Sequence, residues 1–364
     1  MGAYTNIDDP SALFQATTYT GAGANTAVTN GGNSDLKPDL LWIKNRTAGY
    51  AHFVVDSNRN ISYAQNSSNA PYLEAEGTSA ENNNQNWMQS VNTDGFTTGI
   101  AEHTNCNSGS AYVAWQWKAN GGTTANNTTG SIDSVVQANT NAGFSIVTYT
   151  GGGSAGTIGH GLGVKPDVII LKKRNGAVHW YVRHVSTGSS HLVLSLSSNA
   201  ASVPSVTWTT TEPTSSVFSI GSGADFNANG GTFIAYCWAE KQGFSKFGSY
   251  EGTGNANGPF VATGFKPAFV MVKNIDNSGY DWAIMDSTRT PTNANGTYEF
   301  LWANLSAAEF TDGDSGINME IDFLSNGFKI RTARGELNLQ STFIYMAFAE
   351  NPFVTSSGVP TTAR

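Results

Sequence analysis

The sequence predicts an all-β protein made of three tandem antiparallel β-sandwich repeats of jelly-roll or lectin-like type. Three observations lead there. One order of motifs occurs three times along the 364 residues. The apolar runs are short and alternate with period two, as strands do. Charged residues make up only 13% of the chain, against a usual share of about 25%. Gly, Ser, Thr and Asn fill the gap and aromatics reach 11%, which fits many turns and a polar, largely uncharged surface rather than a disordered chain.

Each copy opens with a strand ending in Tyr-x-Gly: Tyr19-Thr20-Gly21, Tyr149-Thr150-Gly151 and Tyr250-Glu251-Gly252. Lys-Pro and a hydrophobic run ending in Lys follow, from Pro38 to Lys44, Pro166 to Lys172 and Pro267 to Lys273. An aromatic strand closes each copy: Tyr112 to Trp117, Phe233 to Trp238 and Phe343 to Phe348. Tyr to Pro spans 19, 17 and 17 residues, and Pro to the last aromatic 79, 72 and 81. A period near 100 residues suits a whole small domain rather than a solenoid unit. Residues common to the copies hold the fold, and residues peculiar to one copy are where a site can sit.

The run after Pro is apolar on both faces. Leu40, Trp42 and Lys44 oppose Leu41 and Ile43, which marks an interior strand covered on both sides, with Pro at its entry where a missing N–H costs least. The closing strands carry one bulky face, Val113, Trp115 and Trp117, then Ile234, Tyr236 and Trp238, then Ile344, Met346 and Phe348. These side chains are expected to bury against the opposite sheet of their own sandwich. A third shared segment, His52 to Asp56, matches Trp282 to Asp286, with Arg59 and Arg289 three residues after each acid. Copy two has Trp180 to His184 there and no acid. Asp56 with Lys44, or Asp286 with Lys273, is a candidate cross-strand ion pair fixing register. Trp87 and Trp208 recur before Phe96 and Phe218 and read as core.

The boundaries follow. Residues 1–118 form repeat one with a polar lead-in, in which Asp9 caps a turn begun by Pro10. Residues 119–142 are a Gly/Thr/Asn-rich linker, 143–242 repeat two, 243–353 repeat three and 354–364 a tail. Repeats two and three, joined without a linker, are expected to pack together, with repeat one more independent. One pseudo-threefold assembly with each repeat as a sector is the alternative.

Net charge is −8 and the 19 Lys and Arg are scattered, so no stripe exists for nucleic acid and no polybasic run for a membrane surface. No apolar stretch approaches membrane-spanning length, and the first residues lack a signal peptide's basic and apolar regions. Cys106 and Cys237 fall in different repeats and read as two thiols, with one cross-repeat disulfide as the alternative.

Candidate recognition residues come from what is peculiar to one copy. Repeat two concentrates His179, Arg183, His184 and His191, expected on the surface and not spaced as zinc ligands. Repeat three inserts Asp312-Gly313-Asp314-Ser315-Gly316. Its start resembles a calcium loop, but Ile317 and Phe323 break the EF-hand pattern, so a plain turn is favoured, no cofactor is expected, and Ca²⁺ at Asp312 and Asp314 remains the alternative. These acids cluster in one loop rather than facing each other across a sugar, and no nucleophile elbow or phosphate loop stands in a convincing setting, so no catalytic residue is assigned and no enzyme is expected.

Longer stretches carry a family resemblance: Ile7-Asp8-Asp9-Pro10-Ser11, Leu40 to Arg46, Tyr112 to Lys118, Gly143 to Val147, His160 to Gly163, Lys246 to Tyr250, Phe260 to Phe265 and Met346 to Phe353. On these the chain resembles a family of virion or tail structural proteins of tailed bacteriophages, common in phages of marine bacteria. The resemblance implies a virion protein made in the host cytoplasm, with other tail or capsid proteins as partners and a homo-oligomer, a trimer among the options. It implies a tail-fibre or spike-type adhesin for host glycan or receptor, with capsid decoration or cement, or tail assembly, as the alternative. It supplies no catalytic residues.

Overall fold

The computed structural model describes residues 4–59, 70–84, 87–101, 104, 107–187, 192–204, 207–290, 293, 298–311 and 318–361. The first sector contains β1 (Phe14–Thr20), β2 (Ala27–Val28), β3 (Leu40–Asn45), β4 (Phe53–Asp56), β5 (Ala70–Glu74), β6 (Asn82–Asn84), β7 (Met88–Val91), β8 (Phe96–Thr98) and β9 (Ala111–Trp117). The second contains β10 (Ala125–Asn127), β11 (Ser134–Asn139), β12 (Phe144–Thr150), β13 (Gly156–Gly159), β14 (Val168–Lys173), β15 (Tyr181–His184), β16 (Leu192–Ser195), β17 (Val203–Pro204), β18 (Val217–Ile220) and β19 (Thr232–Trp238). The third contains β20 (Ser245–Glu251), β21 (Phe260–Ala262), β22 (Phe265–Asn274), β23 (Ala283–Asp286), β24 (Glu299–Trp302), β25 (Phe310–Thr311), β26 (Ile321–Leu324), β27 (Gly327–Ile330) and β28 (Thr342–Pro352).

The protein is all-β, and its sheets are antiparallel. Each sector has a large sheet in which the closing strand lies between the opening strand and the strand that follows Lys-Pro. The orders are β1-β9-β3-β4-β5-β6, β12-β19-β14-β15-β16-β17 and β20-β28-β22-β23-β24-β25. A small sheet covers the outer face of each: β2-β8-β7, β13-β18 and β21-β27-β26. Every residue of β3 is buried, as a strand covered on both faces must be. Pro267 sits inside β22 at a register shift against β28, where a bulge tolerates its missing N–H.

The packing departs from the expected sandwich in one respect. Outward-facing Tyr112 and Ala114, Phe233 and Ala235, and Phe343 and Tyr345 pack beneath their own small sheets. The bulky faces Trp115 and Trp117, Tyr236 and Trp238, and Met346 and Phe348 instead share one core between the three large sheets. Trp117 lies 6.2 Å from Trp238 and 5.5 Å from Phe348, ring centre to ring centre. Phe14 stacks on Phe348 at 5.1 Å. A void of about 20 Å³ lies among Trp42, Trp180, Tyr236, Met271 and Met346, lined by side chains from all three sectors. The sectors therefore stand around a common axis, and the expected independence of repeat one is corrected. The face carrying Trp42, Trp115 and Trp117 is covered by the other two.

Equivalent hydrogen bonds close this ring in one direction. His52 Nε2 donates to Trp302 O at 3.0 Å, Trp180 Nε1 to Glu74 O at 2.8 Å and Trp282 Nε1 to Ser195 O at 2.9 Å. The strand-ending lysines repeat the pattern: Lys44 Nζ donates to Ser306 O, Lys172 Nζ to Thr78 O and Lys273 Nζ to Asn199 O. Backbone N–H groups of Glu309, Glu81 and Ser202 donate to the carbonyls of Arg46, Arg174 and Ile275. In each set, sector one meets three, two meets one, and three meets two. Burial pulls all three lysines down to about 8.

The predicted Lys–Asp pairs do not form. Asp56 lies opposite Leu40 and Asp286 opposite Phe269, four positions from Lys44 and Lys273 along the strand. Each acid pairs with the arginine that follows it, Arg59 at 2.5 Å and Arg289 at 2.6 Å, with both side chains wholly buried. The linker reading of 119–142 is also corrected. β10 and β11 lie within it, and β11 pairs with β12 from Asn139↔Phe144 to Ser134↔Tyr149. An open sheet edge recruits a polar segment that would not fold alone.

Candidate recognition surface

The residues peculiar to the second sector do not converge. β15 alternates its faces, so Arg183 and His184 point to opposite sides of the sheet. His184 occupies the position of Asp56 and Asp286 and faces the third sector. The Ser186 N–H donates to its Nδ1 at 3.1 Å, which leaves the proton on Nε2 to bond Tyr345 O at 3.0 Å. The residue is 3% exposed. The expectation of a surface contact is therefore corrected: His184 pins two sectors as the acids do, Asp56 accepting from Tyr236 and Asp286 from Trp115.

Burial, with the Arg183 charge adding to it, pulls His184 down to about 4. A neutral, buried imidazole makes stability pH-dependent. It is fully present above the unfolded value near 6.5 and declines as pH falls toward 4, because only the unfolded chain takes the proton. Glu76, pushed up to about 7 mainly by burial, opposes this between pH 4.5 and 7. The variant His184→Gln isolates the histidine. Wild type should lose up to about 3 kcal/mol more than the variant between pH 7 and pH 4 in urea unfolding. Equal losses would count against the buried neutral imidazole.

Arg183 is also 3% exposed rather than on the surface, which corrects the second expectation. It stands where the other sectors have Val55 and Met285, so a cation enters an otherwise apolar row. Its Nη2 donates to Glu212 Oε2, and Lys165 Nζ reaches the same oxygen at 2.7 Å from the solvent side. Glu212 is partly desolvated, yet Lys165 and Arg183 hold its carboxyl below the usual range. Lys165 and Glu212 are about half exposed and form a charged corner at the outer end of the sector. Sequence reasoning missed both. The available signal was that Glu212 is the only acid between 185 and 224, where a buried arginine needs a counterion.

His179 is exposed, with Nδ1 3.0 Å from Ser197 Oγ. His191, Asp312 and Asp314 lie outside the described residues. Among the described acids of the third sector, Asp322 accepts from the Tyr298 hydroxyl at 2.9 Å. Among the described residues no group of three or more His, Cys, Asp or Glu is placed to hold a metal ion, and no helix is long and apolar enough to cross a membrane. Cys237 is a free, buried thiol whose ionisation burial pushes well up, and Cys106 lies outside the described residues. Trp87 and Trp208 are buried beneath the small sheets.

Compared with known families, residues 9–352 match the model of a domain of unknown function, DUF7483. The chain belongs to this family. The match spans all three large sheets, from the cap at Asp9 to the end of β28, so the family's domain is the whole ring rather than one sector. No curated protein matches the chain significantly.

Proposed function

We propose that the protein is a structural component on the surface of a bacteriophage particle, a tail-fibre or spike-type adhesin that binds a host glycan or receptor. The observation that supports this best is how the ring divides its residues. What the three sheets share fills the common core, fills the space beneath the small sheets or pins one sector to the next. Of the residues peculiar to the second sector, His184 joins that frame, whereas His179 and Arg183 lie away from the common core, Arg183 against the half-exposed Glu212, with Lys165 of the shared Lys-Pro beside it. A frame of this kind holds rim groups in place at little ordering cost, and display in many copies turns weak polar contacts into firm attachment. The resemblance of Leu40 to Arg46 and Tyr112 to Lys118 to phage structural proteins supports the location.

A glycan array with the purified protein tests the reading. Saturable binding to a host-surface glycan is expected, weakened about fivefold, or about 1 kcal/mol, by Lys165→Glu or His179→Ala at unchanged thermal stability. No binding, together with stoichiometric capture by capsid or tail shells, would replace the adhesin with a decoration or assembly protein.

A further inference from the structure

The three opening strands are equivalent, yet their outer edges are treated differently. In the second sector β11 pairs along the edge of β12. In the first, β1 ends its sheet, and a groove of about 620 Å³ runs beside it. Lys118 N–H donates to Leu13 O and Gly21 N–H to Ser110 O, so odd-numbered residues of β1 bond to β9. Ala16 and Thr18 consequently turn their N–H and C=O groups to the groove.

The second sector shows what fits there. Gly161 follows Tyr149 by twelve residues, and Gly31 follows Tyr19 by the same interval. A side chain on Gly161 would meet Val136 at 2.8 Å and Ala138 at 3.2 Å, both from β11. A side chain on Gly31 would meet nothing within 4 Å, and its φ is ordinary for any residue. The small residue therefore stands over a slot of the kind β11 fills. The neighbouring turn is equivalent too. Asn58 Nδ2 donates to Ile146 O on β12 and to Val135 O on β11. Thr288, its counterpart, donates to Ala16 O on β1. The edge of β20 is guarded by Lys246 and Glu251, whereas β1 carries no charge at all.

We propose that the β1 edge is a strand-acceptor groove, which takes an extended, uncharged segment of a partner protein antiparallel to β1, with small or β-branched side chains over Gly31. The main chain supplies affinity and the Gly31 slot selects side chains. Gln15, whose amide is tied to Ser11 O, Ser34 O and Gly32 N–H, closes one end and sets where the segment stops.

A fluorescein-labelled peptide with the sequence of residues 134–141, which carries no charged side chain, is the probe, titrated against the full chain by anisotropy. Saturable binding is expected, at least tenfold tighter than for a scrambled peptide. Gly31→Trp fills the slot from open space and should abolish it. Ala16→Pro removes an outward N–H without touching the β9 ladder and should do the same. Thr288→Asn, which installs the donor that bonds both strands in the second sector, should tighten binding. No binding at millimolar peptide, or equal binding by wild type and Gly31→Trp, would overturn the proposal. So would a dimer in sedimentation that Ala16→Pro dissociates, which would make a second copy the occupant.

Discussion

Arg289→Ala should destabilise the protein by about 3–5 kcal/mol, read as a shift in the urea midpoint at constant slope. The guanidinium donates to Asp286 Oδ2 at 2.6 Å, Glu309 Oε1 at 2.8 Å and Ile284 O at 3.0 Å. It also lies 5.6 Å from the ring centre of Trp115, in the next sector. Removing it strands a wholly buried carboxylate with only the Trp115 N–H and its own turn for partners. The cost comes from that uncompensated charge, so Arg289→Met with Asp286→Leu should be less damaging than Arg289→Ala alone. If the single variant is as stable as wild type, the pair does not hold sectors one and three together.

Trp117→Ala should cost a similar amount, about 3–5 kcal/mol, because it opens a cavity where all three sheets meet. Its ring lies 5.1 Å from Phe14 in its own sector, 6.2 Å from Trp238 in the second and 5.9 Å from Phe269 in the third. The neighbours are anchored in separate sheets, so the hole cannot close by one sheet moving. The indole N–H has no hydrogen-bond partner among the described residues, so Trp117→Phe should cost much less than the alanine variant. Thermal unfolding of the two variants separates packing from polarity.

The strands were legible in the sequence because their signals are local. Apolar residues on both faces mark β3, β14 and β22 as interior strands, and Tyr-x-Gly marks where the opening strands turn away. Period two also sorts Trp115 and Trp117 from Tyr112 and Ala114. It does not say what lies across from either set, and so the shared axis stood only as the alternative to separate sandwiches. Register is equally silent in single strands. The Lys44–Asp56 pairing failed because β4 meets β3 with Asp56 opposite Leu40. β11 was hidden because Ser-Val-Val-Gln-Ala-Asn has too little apolar pattern, and only the free edge of β12 makes it a strand. His184 could have been placed from its alignment with Asp56 and Asp286. Arg183 looked like a surface residue because Glu212, its counterion, is remote in sequence.

Native-state hydrogen exchange on the whole chain tests the common core most directly. If the three large sheets unfold as one body, the slowest amides of β9, β19 and β28 will share one opening free energy, equal to that of global unfolding, and Trp117→Ala will lower all three together. Amides of one sheet exchanging through a cheaper opening of their own, unmoved by that substitution, would contradict it.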